Sequence, residues 1–188
     1  MSKQVWKPGT MVYPLPAVMV SCGDMEKSNI ITVAWTGTIC TDPAMVYISV
    51  RPERYSYNMI KETGEFVINL TTKELARKTD FAGVRSGRDL DKFDKLKLTK
   101  EKASKVKAPL IKESPVNIEC KVTEIKELGS HHMFIAKVLA VDIDEKYLDE
   151  KGKFCLEKAN LITYSHGEYY EQGKNIGKFG FSVKKNRS

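Results

Sequence analysis

Hydrophobic and polar positions alternate along two long stretches of this chain, Val116 to Ile125 and Met133 to Asp142, with the period of two expected of half-buried antiparallel strands. Shorter runs rich in β-branched and aromatic residues predict further strands at Val18–Ser21, Ile30–Trp35, Thr36–Cys40, Met45–Val50 and Glu65–Leu70, with a last short piece near Tyr169. Helical spacing is confined to the spaces between them. Ser56–Glu62 predicts a short helix, with Ser56 as its N-cap and Gly64 as its stop. Thr72–Thr79 predicts a second, with Glu74 near its start and Arg77 and Lys78 at its end, as the macrodipole favours. Lys92–Lys105 reads equally as helix or loop. Many short strands separated by turns favour an antiparallel barrel, because closure removes exposed edges. The periodicity itself yields a mainly β chain with inserted helices.

At 188 residues the chain is expected to form a single domain, 1–188, large enough to bury a core. No apolar run approaches the roughly 20 residues needed to cross a bilayer, and Met1–Thr10 lacks the basic-then-apolar pattern of a signal peptide, so a cytoplasmic location without membrane contact is expected. Cys22, Cys40, Cys120 and Cys155 are widely spaced, form no C-x-x-C pair and do not cluster with His. They suggest reduced, mostly buried thiols and no metal site.

The formal charge of +7 raises the question of nucleic acid. Nearly all of the excess lies in residues 71–113, with 13 Lys and Arg against 7 Asp and Glu. That segment has few aromatics besides Phe81 and Phe93, whereas single-strand binders interleave cations with stacking rings. It reads as a solvated face; the sharper alternative is that some of its cations attract an anionic cofactor or a reduced dinucleotide.

The stretch richest in candidate chemistry is Asn29 to Leu70. A strand ending at Val50 is followed at once by Arg51, Arg54, Ser56 and Tyr57. Guanidinium groups, hydroxyls and the N–H groups of a helix start, delivered to one place, suit a phosphate. Without further context the same arginines read as surface residues of a turn.

This stretch, with PLPAVMVSCGD (Pro14–Asp24), SGRDLDKF (Ser86–Phe93), APLIKES (Ala108–Ser114), IECKV (Ile118–Val122), GSHHMFIAKV (Gly129–Val138) and the closing LITYSHGEYYEQGKNIGKFGFS (Leu161–Ser182), resembles the flavin reductase-like family, which includes flavoredoxins and short-chain flavin reductases. The resemblance covers nearly the whole chain. It implies an antiparallel Greek-key split β-barrel that binds FMN. The flavin ring edge is expected along Asn29, Thr32, Ala34, Trp35 and Thr36, and the phosphate against Ser49, Val50, Arg51, Arg54, Ser56 and Tyr57, with Arg51 contributing most. The loop from Phe81 to Ser86, through Gly83, is expected to complete the pocket. Trp35 reads equally as core packing or as a neighbour of the ring.

Two histidines are candidates for the redox face. His131 matches a family signature associated with nicotinamide binding, although Ser130 stands where an acidic residue is often found, and the alternative is a hydrogen-bonded structural histidine. His166 is the second, with Tyr164 and Tyr169 as possible ring neighbours. Hydride transfer to a flavin needs no protein acid or base, so either would orient or stabilise charge.

Two function classes stay open: an NAD(P)H-dependent flavin or ferric reductase, and an FMN-dependent electron-transfer carrier of the flavoredoxin type served by a protein partner. NADH or NADPH is the implied donor for the first, and the acceptor is a small molecule or a redox protein. No G-x-G-x-x-G motif is present, so a nicotinamide would stack directly over the flavin. The resemblance also implies a homodimer with the flavin near its interface and part of the contact made by the tail from Tyr169 to Phe181.

Overall fold

The computed structural model describes residues 1–183. Its strands and α-helices follow in the order β1 (Leu15–Pro16), β2 (Val18–Gly23), β3 (Ser28–Val33), β4 (Thr36–Thr41), β5 (Ala44–Val50), α1 (Tyr55–Thr63), β6 (Glu65–Leu70), α2 (Ala76–Val84), α3 (Lys92–Leu96), β7 (Lys100–Glu101), β8 (Leu110–Ile111), β9 (Val116–Leu128), β10 (His131–Ile143), β11 (Ile162–Ser165) and β12 (Glu168–Glu171). Seven of these strands form one antiparallel sheet in the order β3-β2-β6-β9-β10-β5-β4. Its two edges, β3 and β4, are consecutive in the chain and joined only by Ala34 and Trp35. The Ser49 N–H of β5 donates to the Trp35 carbonyl at 2.8 Å. The sheet therefore curls until its edges meet at this corner, and the chain itself closes the barrel.

Inward-facing residues of each strand fill the interior: Val18, Val20 and Cys22 from β2, Ile48 and Val50 from β5, Phe66 and Ile68 from β6, Phe134 and Ala136 from β10. Helix α1 contributes Tyr57 and Ile60 to the same core. Strand β2 is buried on both faces, because Met19 packs outward against Leu75, Ala82 and Phe93 beneath the helical layer. That double burial explains why VMVSC is almost uninterrupted in apolar character, while β9 and β10 alternate.

The predicted strands all form, with β9 and β10 running on to meet at a turn through Gly129 and Ser130. The helices differ more. Arg54, not Ser56, occupies the N-cap of α1, in extended backbone and without a side-chain cap bond. Ser56 lies within the first turn and is completely buried. Gly64 does end the helix, at φ 64°. The second predicted helix begins as a 3₁₀ turn, Lys73–Leu75, and then continues as α2 to Val84. Arg77 and Lys78 therefore sit near the start of α2, not at its end.

Lys92–Lys105 is helical only to Leu96, where Asp91 caps the backbone N–H groups of Phe93 and Asp94. The following loop is held by the buried Glu119 carboxylate, which accepts from Ser104 N (2.8 Å), Ser104 Oγ (2.7 Å), Lys105 N (2.6 Å) and Val106 N (2.9 Å). No helix among the described residues is long and apolar enough to cross a membrane.

Candidate functional site

The barrel-closing corner opens into a cleft of about 270 Å³. One wall is apolar backbone and side chain from β3 and β5, including Ile31, Val33, Ala34 and Val50. The other is aromatic. Strand β1 pairs with β11, Leu15 opposite Tyr164, and β11 with β12, Tyr164 opposite Tyr169, so this small sheet carries both tyrosines to the cleft. Their rings lie edge to face at 5.8 Å, and Tyr164 is 6.4 Å from Trp35. His131, at the start of β10, lies nearly parallel to Trp35 at 6.2 Å, with Ser130 Oγ 3.0 Å from its Nδ1. Burial first, and the nearby Arg51 second, hold the His131 imidazole below its ordinary pKa against the opposing pull of Glu53. The uncharged imidazole is thereby favoured.

A second cleft of about 160 Å³ adjoins the first, sharing Ile31, Arg54 and Val84. Its lining is polar and mostly cationic: Asn29, Ser56, Ser86, Arg85, Arg88 and Lys92, with Glu53 beside them. Asn29 Nδ2 donates to Ser56 Oγ at 2.8 Å, tying β3 to the first turn of α1. Lys92 is 2% exposed, and its Nζ donates at 2.7 Å to the carbonyls of Ile30 and of Ala82. An ammonium carries three hydrogens, so one is left over. Burial, followed by the charge of Arg54, pushes this lysine down to about 8. The loop passes close enough to Asn29 and to the Tyr55 ring that a Cβ on Gly87 would collide with both.

The arginines proposed for one phosphate are separated. Arg51 lines the larger cleft and pairs through Nε with Glu53 Oε1 at 2.9 Å, both side chains more than half exposed. Arg54 stands where the clefts join and donates to the Gly83 carbonyl of α2.

Of the predicted residues, Thr32, Ala34, Trp35, Ser49, Val50, Arg51, Arg54 and His131 line the larger cleft, and Asn29, Arg54, Ser56 and Ser86 the smaller. Four are elsewhere. The Thr36 hydroxyl is spent within the barrel, donating to the Tyr47 carbonyl at 2.7 Å. Tyr57 faces the core, its ring against Phe134 and its OH 2.7 Å from His132 Nδ1. Phe81 faces a separate depression on α2. His166 forms, with Gly167, the two-residue turn between β11 and β12; both have positive φ, 50° and 96°, and the histidine ring meets Tyr13 at 6.0 Å. Thr32 lines the cleft, but its hydroxyl donates to the Thr79 carbonyl and anchors α2.

Sequence reasoning missed Asp80, Arg88 and Lys92. The SGRDLDKF segment holds two of them, and a Lys preceding a Phe of the helical core layer was the available signal.

An antiparallel barrel closed around an aromatic cleft, with a cationic extension, has the build of a split-barrel flavoprotein. The chain belongs to the flavin reductase like domain family, whose model matches residues 10–172. Its fold superimposes on the flavoredoxin of Desulfovibrio vulgaris (Miyazaki F) with a TM-score of 0.89, at 32% identity over 97% of this chain and 100% of that one. A flavoredoxin from Methanosarcina acetivorans gives 0.85, at 25% identity over 97% and 100%. An uncharacterized protein of Archaeoglobus fulgidus is 36% identical over 165 residues, 88% of each chain. These likenesses support a flavin-related redox role.

Proposed function

We propose that this protein binds FMN across the two clefts and shuttles electrons between NAD(P)H or a protein donor and a flavin, ferric or other small acceptor. The observation that carries this reading is the junction at Arg54: an aromatic, apolar cleft suited to a planar ring opens directly into a cationic, hydroxyl-bearing one suited to a phosphate. The donor set fits a phosphorylated flavin. Backbone of β3 with Ala34, Trp35 and Tyr164 would hold the ring, and Arg54, Ser56, Arg88 and the spare hydrogen of Lys92 would hold the phosphate. FMN supplies the redox chemistry when bound, accepting hydride or single electrons at its ring.

The chain's own residues bind, orient and shield. Tyr164 and Tyr169 line one side of the cleft and would shield a bound ring there. The neutral His131 at the rim offers a hydrogen bond without adding a charge beside Arg51. Arg54 leads the phosphate contacts in this reading, because Arg51 is already paired with Glu53. Purified protein should be yellow and release FMN on denaturation, as chromatography of the chromophore will show. A colourless protein that takes up no added FMN overturns the reading. Steady-state oxidation of NADH and NADPH with excess flavin then separates a reductase from a carrier. We further infer that the working form is a homodimer, since large apolar side chains at both ends of the described chain are left largely exposed.

A further inference from the structure

A further depression, of about 420 Å³, shares no lining residue with the two clefts. Its wall includes Asp142 of β10, which stands opposite Asn117 in the β9–β10 ladder, while Glu119 stands opposite Ala140 beside a bulge. Asp142 and Glu119 are therefore diagonal neighbours on one face of the sheet, a spacing that acidic side chains can bridge. Glu119 is fully buried and spends its carboxylate on the loop at Ser104, Lys105 and Val106. Asp142 Oδ2 is also cut off from water, yet it has no hydrogen-bond partner among the described residues. An enclosed carboxylate oxygen without a donor, beside a second carboxylate, is costly; one proton removes the conflict by making Asp142 a donor.

The surrounding charges agree. Glu119 faces Asp142 from β9 and Glu101 from β7, both opposing its ionisation; Lys102 and Lys112 line the same depression, and Asp144 is paired with Lys146 at 2.7 Å. Burial first, and the charge of Glu119 second, push the Asp142 carboxyl above its ordinary 3.8. Burial also opposes ionisation of Glu119, but the donors of the loop outweigh it and hold that carboxyl below its ordinary 4.5. We propose that the two carboxyls share one proton, resident on Asp142, and that the pair is a pH-sensitive latch on residues 103–110. The latch covers an apolar strand, since Ala103, Val106, Ala108 and Leu110 pack with Val67 on the outer face of β6. Its two halves fail in opposite directions. The contribution of Asp142 is lost as pH rises through its raised folded value, and that of Glu119 as pH falls through its lowered one. The loop is therefore held most firmly under mildly acidic conditions and loosens as Asp142 ionises.

The test follows carboxyl resonances and amide hydrogen exchange of the full chain across pH. Asp142 should titrate above 3.8, and protection of the Ser104, Lys105 and Val106 amides, corrected for intrinsic exchange, should fall through the same pH range. By linkage the fall should be about tenfold for each unit by which Asp142 is raised, if opening frees its carboxyl. Asp142→Asn keeps the side chain's shape and supplies a permanent donor to Glu119, so its loop protection should stay level where the wild type loses it. Wild-type protein alone can overturn the proposal, either by an Asp142 that titrates at its ordinary value or by loop protection that ignores its ionisation. An Asp142→Asn protein that keeps the wild-type pH profile overturns it as well, because another group would then be responsible.

Discussion

Lys92 stands at the back of the smaller cleft with its charge buried among backbone carbonyls, and its lowered pKa of about 8 makes the cleft sensitive to pH. A phosphate is already fully ionised there, its second pKa being about 6. FMN affinity should therefore fall as pH rises through about 8, while riboflavin affinity stays level; fluorescence titration of both ligands from pH 6.5 to 9.5 checks this. Lys92→Met should weaken FMN and flatten the profile. The effect on folding has the opposite sign. The folded pKa lies below the ordinary value of 10.5, so the unfolded chain binds more protons between about 8 and 10.5, and this lysine's contribution to stability grows as pH rises through that window. At the junction, Arg54→Ala should weaken FMN by roughly 1.5–3 kcal/mol, the range of a charged hydrogen bond, and riboflavin far less. Equal loss of both ligands would assign Arg54 to holding α2 through Gly83 instead. Thiols give an independent check on burial. Cys22 and Cys120 are fully buried, which pushes them up to about 11 and 12, so alkylation at pH 8 should reach Cys40 first and those two only on unfolding.

At the scale of elements, Glu119 on β9 fixes the loop that covers the outer face of β6. Its carboxylate accepts from three consecutive residues, and Val106 and Ala108 of that loop pack on Val67. Burial alone would raise the Glu119 pKa, yet these hydrogen bonds hold it below the ordinary carboxylate value. Stability from this group is present above the unfolded pKa near 4.5 and lost as pH falls through the lower folded one. Glu119→Gln replaces an acceptor by a donor facing N–H groups and should cost about 3 kcal/mol, read from the urea midpoint at unchanged slope. None of this was visible in the chain, where Glu119 reads as one more polar residue of an alternating strand. The strands were legible because burial on one face writes a period of two. The helix ends were not. Ser56 looks like an N-cap by type, but Asn29, 27 residues away, claims its hydroxyl and draws it into the interior. The site divides the same way. The β3 and β5 residues were legible because strand ends and clustered arginines mark them. Lys92 was not, since its meaning depends on the carbonyl of Ile30, 62 residues earlier.

Both ends of the described residues leave large apolar side chains exposed. Val5 and Trp6 near the start are 101% and 75% exposed, and Ile176, Phe179 and Val183 near the end are 91%, 107% and 82% exposed. These exposures do not match docking of the terminal aromatics on the chain's own barrel. The Phe181 ring folds back against Gly177, where a Cβ would collide with it. Apolar side chains of this size, exposed together at both ends, lose free energy in water at about 25 cal/mol per Å² of surface left uncovered, so a second copy that covers them is favoured. Sedimentation at micromolar concentration should find a dimer for the full chain, with tight FMN. A chain ending at Gly173 should lose dimer stability and some flavin affinity together if the tail helps cover the ring. A full-length monomer with tight FMN would remove the shared site altogether. A truncated dimer with unchanged flavin affinity would remove only the tail, and would direct attention to Trp6 and its neighbours, whose deletion is the matching experiment.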